Sequence, residues 1–87
     1  MDCAELDEAP ADIAPLPPAD GCAECLAHGR HDWVHLRLCL ACGRVGCCDS
    51  SPGKHASAHY AASGHPVIRS FQPGETWRWC FVHGTAG

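Results

Sequence analysis

The stretch that decides the fold runs from residue 39 to residue 65 and has the sequence CLACGRVGCCDSSPGKHASAHYAASGH. It is rich in cysteine and histidine, and a further Cys-x-x-Cys pair precedes it at Cys22 and Cys25. Two sulfurs in a Cys-x-x-Cys turn can share one zinc ion, and zinc prefers four Cys or His ligands in a tetrahedron. Two complete sets of four are therefore available: Cys22, Cys25, Cys39, Cys42, Cys47, His55, His59 and His65.

Spacing in the sequence alone does not show which four of these eight ligands would bind each zinc ion. His55 and His59 are four residues apart in a segment that we predict to be helical, so they would lie on one helix face and could share a zinc ion. Cys48 follows Cys47 directly and has no place in either set. We expect Cys48 to be a small core residue, with replacement of Cys47 as a ligand as the alternative.

The 87-residue chain is long enough for one domain only. Domains of this size bury little surface and often need a staple such as a metal ion. Its eight cysteines could instead form a disulfide framework. The first residues, MDCAELDE, lack the basic and apolar character of a secretory leader, and no run is apolar enough to span a membrane. We therefore expect a cytoplasmic location, metal-bound thiols and no membrane segment.

Charge is distributed unevenly along the chain, whose formal net charge is −4. All the charged residues in residues 1–24 are acidic, and the six basic residues are scattered over the remainder. Proteins that bind nucleic acid usually cluster their basic side chains on one face. We therefore expect no nucleic-acid partner.

Composition divides the chain into three parts. Residues 1–20 form an acidic, Pro/Ala-rich segment that we predict to be an extended tether over residues 7–20. The metal-binding domain spans residues 21–83, and residues 84–87 form a short tail.

Hydrophobic alternation and turn residues predict the elements of this domain. Residues 33–40 alternate as a half-buried strand, with Val34, Leu36, Leu38 and Leu40 on one face, and residues 45–47 continue as a short strand. Residues 54–63 predict a helix that is capped near Ser50 and Ser51 and stopped by Gly64. Residues 67–71 and 76–82 predict two more strands. The expected fold class is α+β: a small zinc-stabilised antiparallel sheet with one main helix.

Several of these motifs together resemble the UBP-type zinc finger, a domain of several deubiquitinases. The resemblance rests on the run from Cys39 to Gly43, on Cys47, on Lys54–Tyr60 and on Gly64-His65-Pro66, and it covers residues 22–83. WVHLRLCL and HPVIRSF are also similar to the short, stand-alone prokaryotic members. The resemblance implies an interleaved division of the ligands. One zinc would be held by Cys22, Cys25, Cys47 and His55, and the second by Cys39, Cys42, His59 and His65.

Three-zinc members of that family have a further site, formed by a Cys-x-His near the N-terminus and a Cys-x-x-Cys after the last aromatic strand. The corresponding positions in this chain are Cys3, Glu5, Cys80 and His83, so one His and one Cys are replaced. Carboxylate oxygen also ligates zinc. We therefore predict two or three zinc ions. The alternative is that Cys3 is a loose thiol, Cys80 a core residue and His83 exposed.

The same resemblance indicates a binding function. Family members that bind ubiquitin capture its C-terminal Gly-Gly in a pocket formed by an arginine and aromatic residues. Trp79 and Phe81 lie at the aromatic positions, with Trp77 beside them, but Asp49 stands where the arginine would be. A carboxylate there repels a carboxylate tail, which disfavours ubiquitin binding in that mode.

We therefore predict a binding module for another protein or peptide tail, with a surface formed by Trp77, Trp79 and Phe81. A metal-responsive or thiol-redox protein is the alternative. Both zinc sets are closed, whereas a catalytic zinc keeps one position open for water. No zinc-hydrolase or deaminase motif is present either, so we expect no enzymatic activity.

Overall fold

Five short antiparallel strands form one sheet in the computed structural model, which describes residues 3–10, 12–17 and 20–86. The strand order is β2-β1-β3-β4-β5. The strands are β1 Leu36–Cys39, β2 Val45–Cys47, β3 Val67–Ser70, β4 Arg78–Cys80 and β5 Thr85–Ala86. Three helices accompany the sheet: α1 Ala4–Glu8, α2 Ala23–Ala27 and α3 His55–Ser63. The α+β class and the antiparallel sheet predicted from the sequence are confirmed.

Helix α3 packs on one face of the sheet. Cys39 lies opposite Ile68, and Ile68 lies opposite Trp79, so these three side chains share a face. The helix lies close to this face at Gly46, where an added Cβ would be 2.9 Å from the backbone nitrogen of Ala56. A residue without a side chain is therefore needed in β2, since real Cβ atoms do not approach so closely.

The N-terminal segment packs on the opposite face. Leu6 of α1 joins a buried cluster with Leu40 and Val67, and Ile13 packs against its edge. Arg78 of β4 donates from Nη1 to the carbonyl oxygen of Leu6 over 3.0 Å. A five-residue helix is unstable alone, so these contacts hold α1 in place. Residues 12–17 contain no helix or strand, as expected for an extended segment. They nevertheless pack against the domain.

Two further contacts hold this extended part of the segment. Arg69 donates from Nε to Asp12 Oδ1 over 2.8 Å, and the amide of Leu16 donates to the carbonyl oxygen of Gly43 over 2.8 Å. Gly43 has a φ of +83°, and a Cβ there would meet the carbonyl oxygen of Ala14 at 2.5 Å. The turn that follows Cys42 therefore requires glycine for its backbone conformation and for its contact with the N-terminal segment.

Several predicted boundaries were wrong. Strand β1 is shorter than residues 33–40, and Val34 is exposed instead of facing the core. Strand β4 is shorter than residues 76–82. The N-cap of α3 is Lys54, without a side-chain hydrogen bond, and is not Ser50 or Ser51.

Helices α1 and α2 and strand β5 were not predicted, because elements of five and two residues are too short to show a periodic pattern. Strand β5 lies within the predicted tail 84–87. The last residue of that tail, Gly87, and residues 1, 2, 11, 18 and 19 of the N-terminal segment are outside the described residues.

Candidate metal centres and an adjoining pocket

Cluster 1 brings together Cys22, Cys25, Cys47 and His55. The two N-terminal cysteines flank the start of α2, Cys47 ends β2, and His55 begins α3. Nδ1 of His55 is 3.2 Å from Sγ of Cys22, 3.3 Å from Sγ of Cys25 and 3.4 Å from Sγ of Cys47. Tetrahedral zinc with three sulfurs and one nitrogen needs N–S separations of about 3.5 Å. The donor atoms are therefore placed as a zinc ion requires.

The electrostatics of cluster 1 also suit a cation. Burial, followed by the neighbouring thiols of Cys22 and Cys47, raises the pKa of Cys25 to about 12. Side-by-side buried thiols become thiolates only if a positive charge compensates them, and zinc supplies that charge. The protein adds backbone donors: the amide of His55, at the start of α3, donates to Cys47 Sγ over 3.2 Å. The positive end of the α3 dipole favours the same thiolate.

Cluster 2 brings together Cys39, Cys42, His59 and His65. Sγ of Cys39 is 3.6 Å from Nδ1 of His65, and Sγ of Cys42 is 3.4 Å from Nε2 of His59. Burial lowers the pKa of His59, and the charges of His65 and Arg44 lower it further. These effects favour the neutral imidazole of His59, which is the form that binds a metal.

Helix α3 connects the two clusters. Its first residue, His55, lies in cluster 1, and His59, one turn later, lies in cluster 2. The grouping is the interleaved one that the family resemblance implied, and His55 and His59 do not share a cluster. Cys47 takes part in cluster 1, whereas Cys48 lies outside all three clusters, buried, with its Sγ 3.6 Å from Oγ of Ser51.

Cluster 3 joins the N-terminal segment to the end of β4 through Cys3, Glu5, Cys80 and His83. Nδ1 of His83 is 3.2 Å from Cys3 Sγ, 3.3 Å from Glu5 Oε2 and 3.8 Å from Cys80 Sγ. Cys3 is buried and is not a loose thiol in this structure, and Cys80 is buried beside it. His83 is exposed, as the alternative reading expected.

Each of the three clusters could hold one zinc ion. Within each, the four ligand atoms lie within 4.8 Å of one another. The donor sets differ in chemistry: three sulfurs and one nitrogen in cluster 1, two of each in cluster 2, and two sulfurs, a nitrogen and a carboxylate oxygen in cluster 3. All three are sets that zinc accepts.

Comparison with known protein families decides the identity of the domain. The model of the family described as "Zn-finger in ubiquitin-hydrolases and other protein" matches residues 22–86. The chain belongs to this family. As a zinc finger with three Cys/His-rich clusters, it is a zinc-binding module.

A solved structure agrees with this assignment. The solution NMR structure of protein RPA1320 from Rhodopseudomonas palustris is 45% identical in sequence and superposes with a TM-score of 0.85. The match covers 99% of this zinc finger and 80% of that protein. No curated protein matches the chain. Within the described residues, no helix is long and apolar enough to cross a membrane.

The zinc finger has a pocket of about 200 Å³ beside the clusters, on the face that carries α3. Trp77, Trp79 and Phe81, which the alternation of residues 76–82 placed on one face, all line it. The Phe81 ring stacks on Tyr60 of α3, with centroids 4.8 Å apart. We call this space the Trp79 pocket. Its other walls come from β1 and β3, from the loop after β2 and from the start of α3.

Two charged side chains line the Trp79 pocket. Arg37 of β1 lies over the Trp77 ring, with Cζ 4.5 Å from the ring centroid. Asp49, in the loop after β2, accepts a hydrogen bond from Oγ of Ser57 over 2.5 Å. Among the described residues, neither Arg37 nor Asp49 forms a salt bridge. The pocket therefore contains one cation and one anion that are free to meet charges of a ligand.

Sequence reasoning missed Arg37. The alternation of residues 33–40 placed it on the face of Cys39, opposite the leucines, but gave it no role. The missing information is the sheet order, which places β1 next to β3 and so brings Arg37 near Trp77 and Trp79. One feature of the sequence does point to Arg37. It lies two residues before Cys39, a predicted zinc ligand, so the alternation places both on the same face of β1.

Proposed function

We propose that this zinc finger is a non-catalytic binding module whose Trp79 pocket receives the free carboxylate end of a protein or peptide tail. The observation that carries this proposal is the position of Arg37. Its guanidinium lines the pocket, lies on the face of Trp77, and has no carboxylate partner among the described residues. Its Nη1 donates to the carbonyl oxygen of Leu36 over 3.0 Å, which leaves other N–H groups for a ligand.

The chemistry of arginine favours a carboxylate as the ligand group. The guanidinium fork can bind both oxygens of one carboxylate, and such charge-assisted bonds are about twice as strong as neutral ones. Stacking on Trp77 limits the orientations of Arg37, so less side-chain entropy is lost on binding. A volume of about 200 Å³ accommodates one or two residues. The pocket thus suits the end of a tail.

The position of Asp49 changes how ubiquitin should be considered. Its carboxylate occupies the position where family members that bind ubiquitin carry an arginine, which disfavours that mode of capture. Arg37 offers a positive charge from another wall of the same pocket. The C-terminus of ubiquitin is therefore one of the tails to be tested.

The arrangement of the clusters supports a non-catalytic role. Clusters 1 and 2 each supply four protein donors, which is the complement of a structural zinc site. A catalytic zinc usually has three protein ligands and a water molecule. The zinc ions would therefore serve to hold α3 and the sheet in the geometry that forms the pocket walls.

The test is a titration of the zinc-loaded protein with tail peptides and with ubiquitin, followed by amide and indole NMR shifts. We expect a dissociation constant on the order of micromolar for peptides with a free C-terminal carboxylate. The shifts should concentrate at Trp77 and Trp79, and C-terminal amidation should weaken binding about tenfold or more. The Arg37→Gln variant should lose as much binding energy as amidation of the peptide does. Its matched control is Arg30→Gln, since Arg30 pairs with Asp32 at the surface, away from the pocket.

The contrary result is equally clear. If no free-carboxylate tail shifts the signals of the two tryptophans, or if amidated and free-acid peptides bind alike, the pocket is not a carboxylate receptor. Zinc content and the dispersion of the amide spectrum show whether the Arg37→Gln protein is folded.

A metal-responsive or thiol-redox role is the second candidate function. Cluster 3 favours it, because two of its four ligands are partly accessible: His83 is 44% exposed and Glu5 is 27% exposed, whereas the thiols of Cys3 and Cys80 are buried beneath them. Peroxide can oxidise the two cysteine thiols of such a site to a disulfide, with reduction of the peroxide to water and release of zinc. Reversible release of one zinc ion under mild peroxide, without any tail binding, would favour this second function. Loss of zinc only with unfolding would exclude it.

A further inference from the structure

We propose that Asp49 makes the Trp79 pocket selective for tails whose last residue carries a basic side chain. This inference rests on the proposed function, because it assumes that Arg37 binds the terminal carboxylate. It gives Asp49, the second charged group of the pocket, a role in recognising the tail. A tail that ends in lysine or arginine presents both complementary charges on a single residue.

The size of the pocket matches the distance between those charges. A cavity of 200 Å³ is about 7 Å across if it is taken as a sphere. In a fully extended lysine, the ammonium nitrogen lies roughly 7.5 Å from the carboxylate carbon, because six single bonds of about 1.5 Å join them in a zigzag. Arg37 and Asp49 line this one cavity from two different elements. The terminal residue can therefore reach both.

Asp49 has the capacity to bind a cation. A carboxylate has about four acceptor positions, and among the described residues only the hydroxyl of Ser57 donates to it, at Oδ1. That hydrogen bond orients the carboxylate from the first turns of α3 without neutralising it. Asp49 is exposed, so a cation can approach it from solvent without a large desolvation cost.

The aromatic walls suit the rest of a basic side chain. Lysine and arginine have apolar stems that pack on apolar surface, and their charged groups are attracted to aromatic faces. Trp79 and Phe81 line the cavity together with Arg37 and Asp49. Because the Phe81 ring is stacked on Tyr60, one of these walls is held in a fixed orientation.

The balance of charges in the pocket explains why the last residue of the tail needs both its free carboxylate and a basic side chain. Arg37 alone would repel a basic side chain, since like charges in a small space are destabilising. Once a carboxylate is bound to Arg37, that pair is neutral, and Asp49 is the remaining uncompensated charge of the pocket. A basic side chain should therefore be selected only in a peptide that also has its free carboxylate.

The test compares four peptides of the same sequence that end in Lys, Ala or Glu as free acids, or in Lys as an amide. Affinities are measured by calorimetry on the zinc-loaded protein, at low and at moderate salt. We expect the free-acid Lys peptide to bind about three- to tenfold more tightly than the Ala peptide. The Glu peptide should bind most weakly among the free acids. The preference should decrease with salt because an exposed ion pair is screened.

Two variants test the role of Asp49 itself. Asp49→Asn should abolish the preference for Lys over Ala. The Ala peptide should bind at least as tightly as to the unchanged protein, because the variant lacks the carboxylate that repels the peptide terminus. Asp49→Lys should reverse the preference toward Glu. Asp7→Asn is the matched control, because Asp7 is exposed on α1, outside the pocket, and its loss changes the net charge equally. Ser57→Ala gives a second, milder perturbation that leaves the Asp49 charge in place.

The outcomes separate this inference from the proposed function. Equal affinities for the Lys, Ala and Glu free acids, or an unchanged preference in Asp49→Asn, would overturn the selectivity and leave carboxylate binding intact. Absence of binding by all free-acid peptides would overturn both. Tight binding of the amidated Lys peptide would overturn the role of Arg37 and, with it, the charge balance on which the selectivity depends.

Discussion

The three metal clusters divide into two regions of different construction. Clusters 1 and 2 are built around α3, and the sulfurs of cluster 1 belong to Cys22, Cys25 and Cys47, which are at most 1% exposed. Cluster 3 ties the N-terminal segment to β4, and His83 within it is 44% exposed. Backbone amides support the thiolates of cluster 1, whereas a carboxylate completes cluster 3. Clusters 1 and 3 thus differ in burial, donor type and position in the fold, and cluster 2 shares with cluster 1 its position around α3.

This difference indicates two separate structural roles. Removing cluster 1 takes away the junction of α2, β2 and α3, and with it the start of the helix that lines the Trp79 pocket. Removing cluster 3 releases a five-residue helix and an extended segment and weakens the sheet edge at Cys80 of β4. The pairings of β1 with β2 and β3 contain none of its residues. We therefore expect loss of the whole fold in the first case and a local change in the second.

The largest effect is predicted for Cys47→Ser. Structural zinc supplies about 10–16 kcal/mol of apparent binding energy in small peptides, which is as large as the roughly 5–15 kcal/mol of net stability of most domains. The variant should lose the dispersed amide spectrum and at least one zinc ion. The control is the neighbouring Cys48→Ser, which is buried but outside the clusters.

The control should keep all bound zinc and a cooperative melting transition, with a loss of stability of about 1–2 kcal/mol for a polar hydroxyl in a buried site. Native mass spectrometry and circular dichroism measure both quantities. If Cys48→Ser loses zinc and Cys47→Ser does not, the assignment of the ligand in β2 is wrong.

A smaller, local effect is predicted for Glu5→Ala. Without the carboxylate oxygen, cluster 3 retains three donors, and its zinc should be the first to pass to a chelator. Amide exchange should then accelerate in α1, with the protection of α3 unchanged. Glu8→Ala is the control, since Glu8 is exposed on the same helix and outside the cluster.

The assignment of separate structural roles to the two regions is wrong if zinc leaves all the clusters in a single step. It is also wrong if the Glu5→Ala variant loses protection in α3 to the same extent as in α1. Stepwise zinc counts by native mass spectrometry, recorded with the exchange data on the same samples, decide between these results.

The sequence predicted the clusters well because zinc chemistry depends on residue identity and short spacings. Cys-x-x-Cys pairs and the histidines around the main helix are visible without any knowledge of the sheet. The division of the ligands came from the family resemblance, since the i, i+4 spacing of His55 and His59 alone suggested a shared site. Helix α2 was missed because it has only five residues, begins within the Cys22–Cys25 turn and shows no hydrophobic period.

The pocket could be predicted only in part. Trp77, Trp79 and Phe81 are close in sequence, and their alternation places them on one face. Arg37 and Asp49 reach the same pocket through contacts that are remote in sequence: the pairing of β1 with β3, and the hydrogen bond from Ser57 to Asp49. Such contacts depend on sheet order and on the path of a loop, neither of which leaves a local signal.

The smallest effect is predicted for the ion pair between Asp12 and Arg69, which helps to hold the N-terminal segment. The hydrogen bond from Arg69, together with the backbone amide of Ile13, lowers the pKa of Asp12. A lowered carboxyl pKa stabilises the folded state above the ordinary titration range of aspartate, and the contribution is lost as the pH falls through the lowered value. Arg69→Gln should therefore raise the pKa of Asp12 toward its ordinary value, measured by carboxyl carbon shifts. Because the Asp12 side chain is 66% exposed, amide exchange at Leu16 should accelerate only slightly. An unchanged Asp12 titration in Arg69→Gln would show that the ion pair does not persist in solution and that the buried cluster around Leu6, with cluster 3, holds the segment.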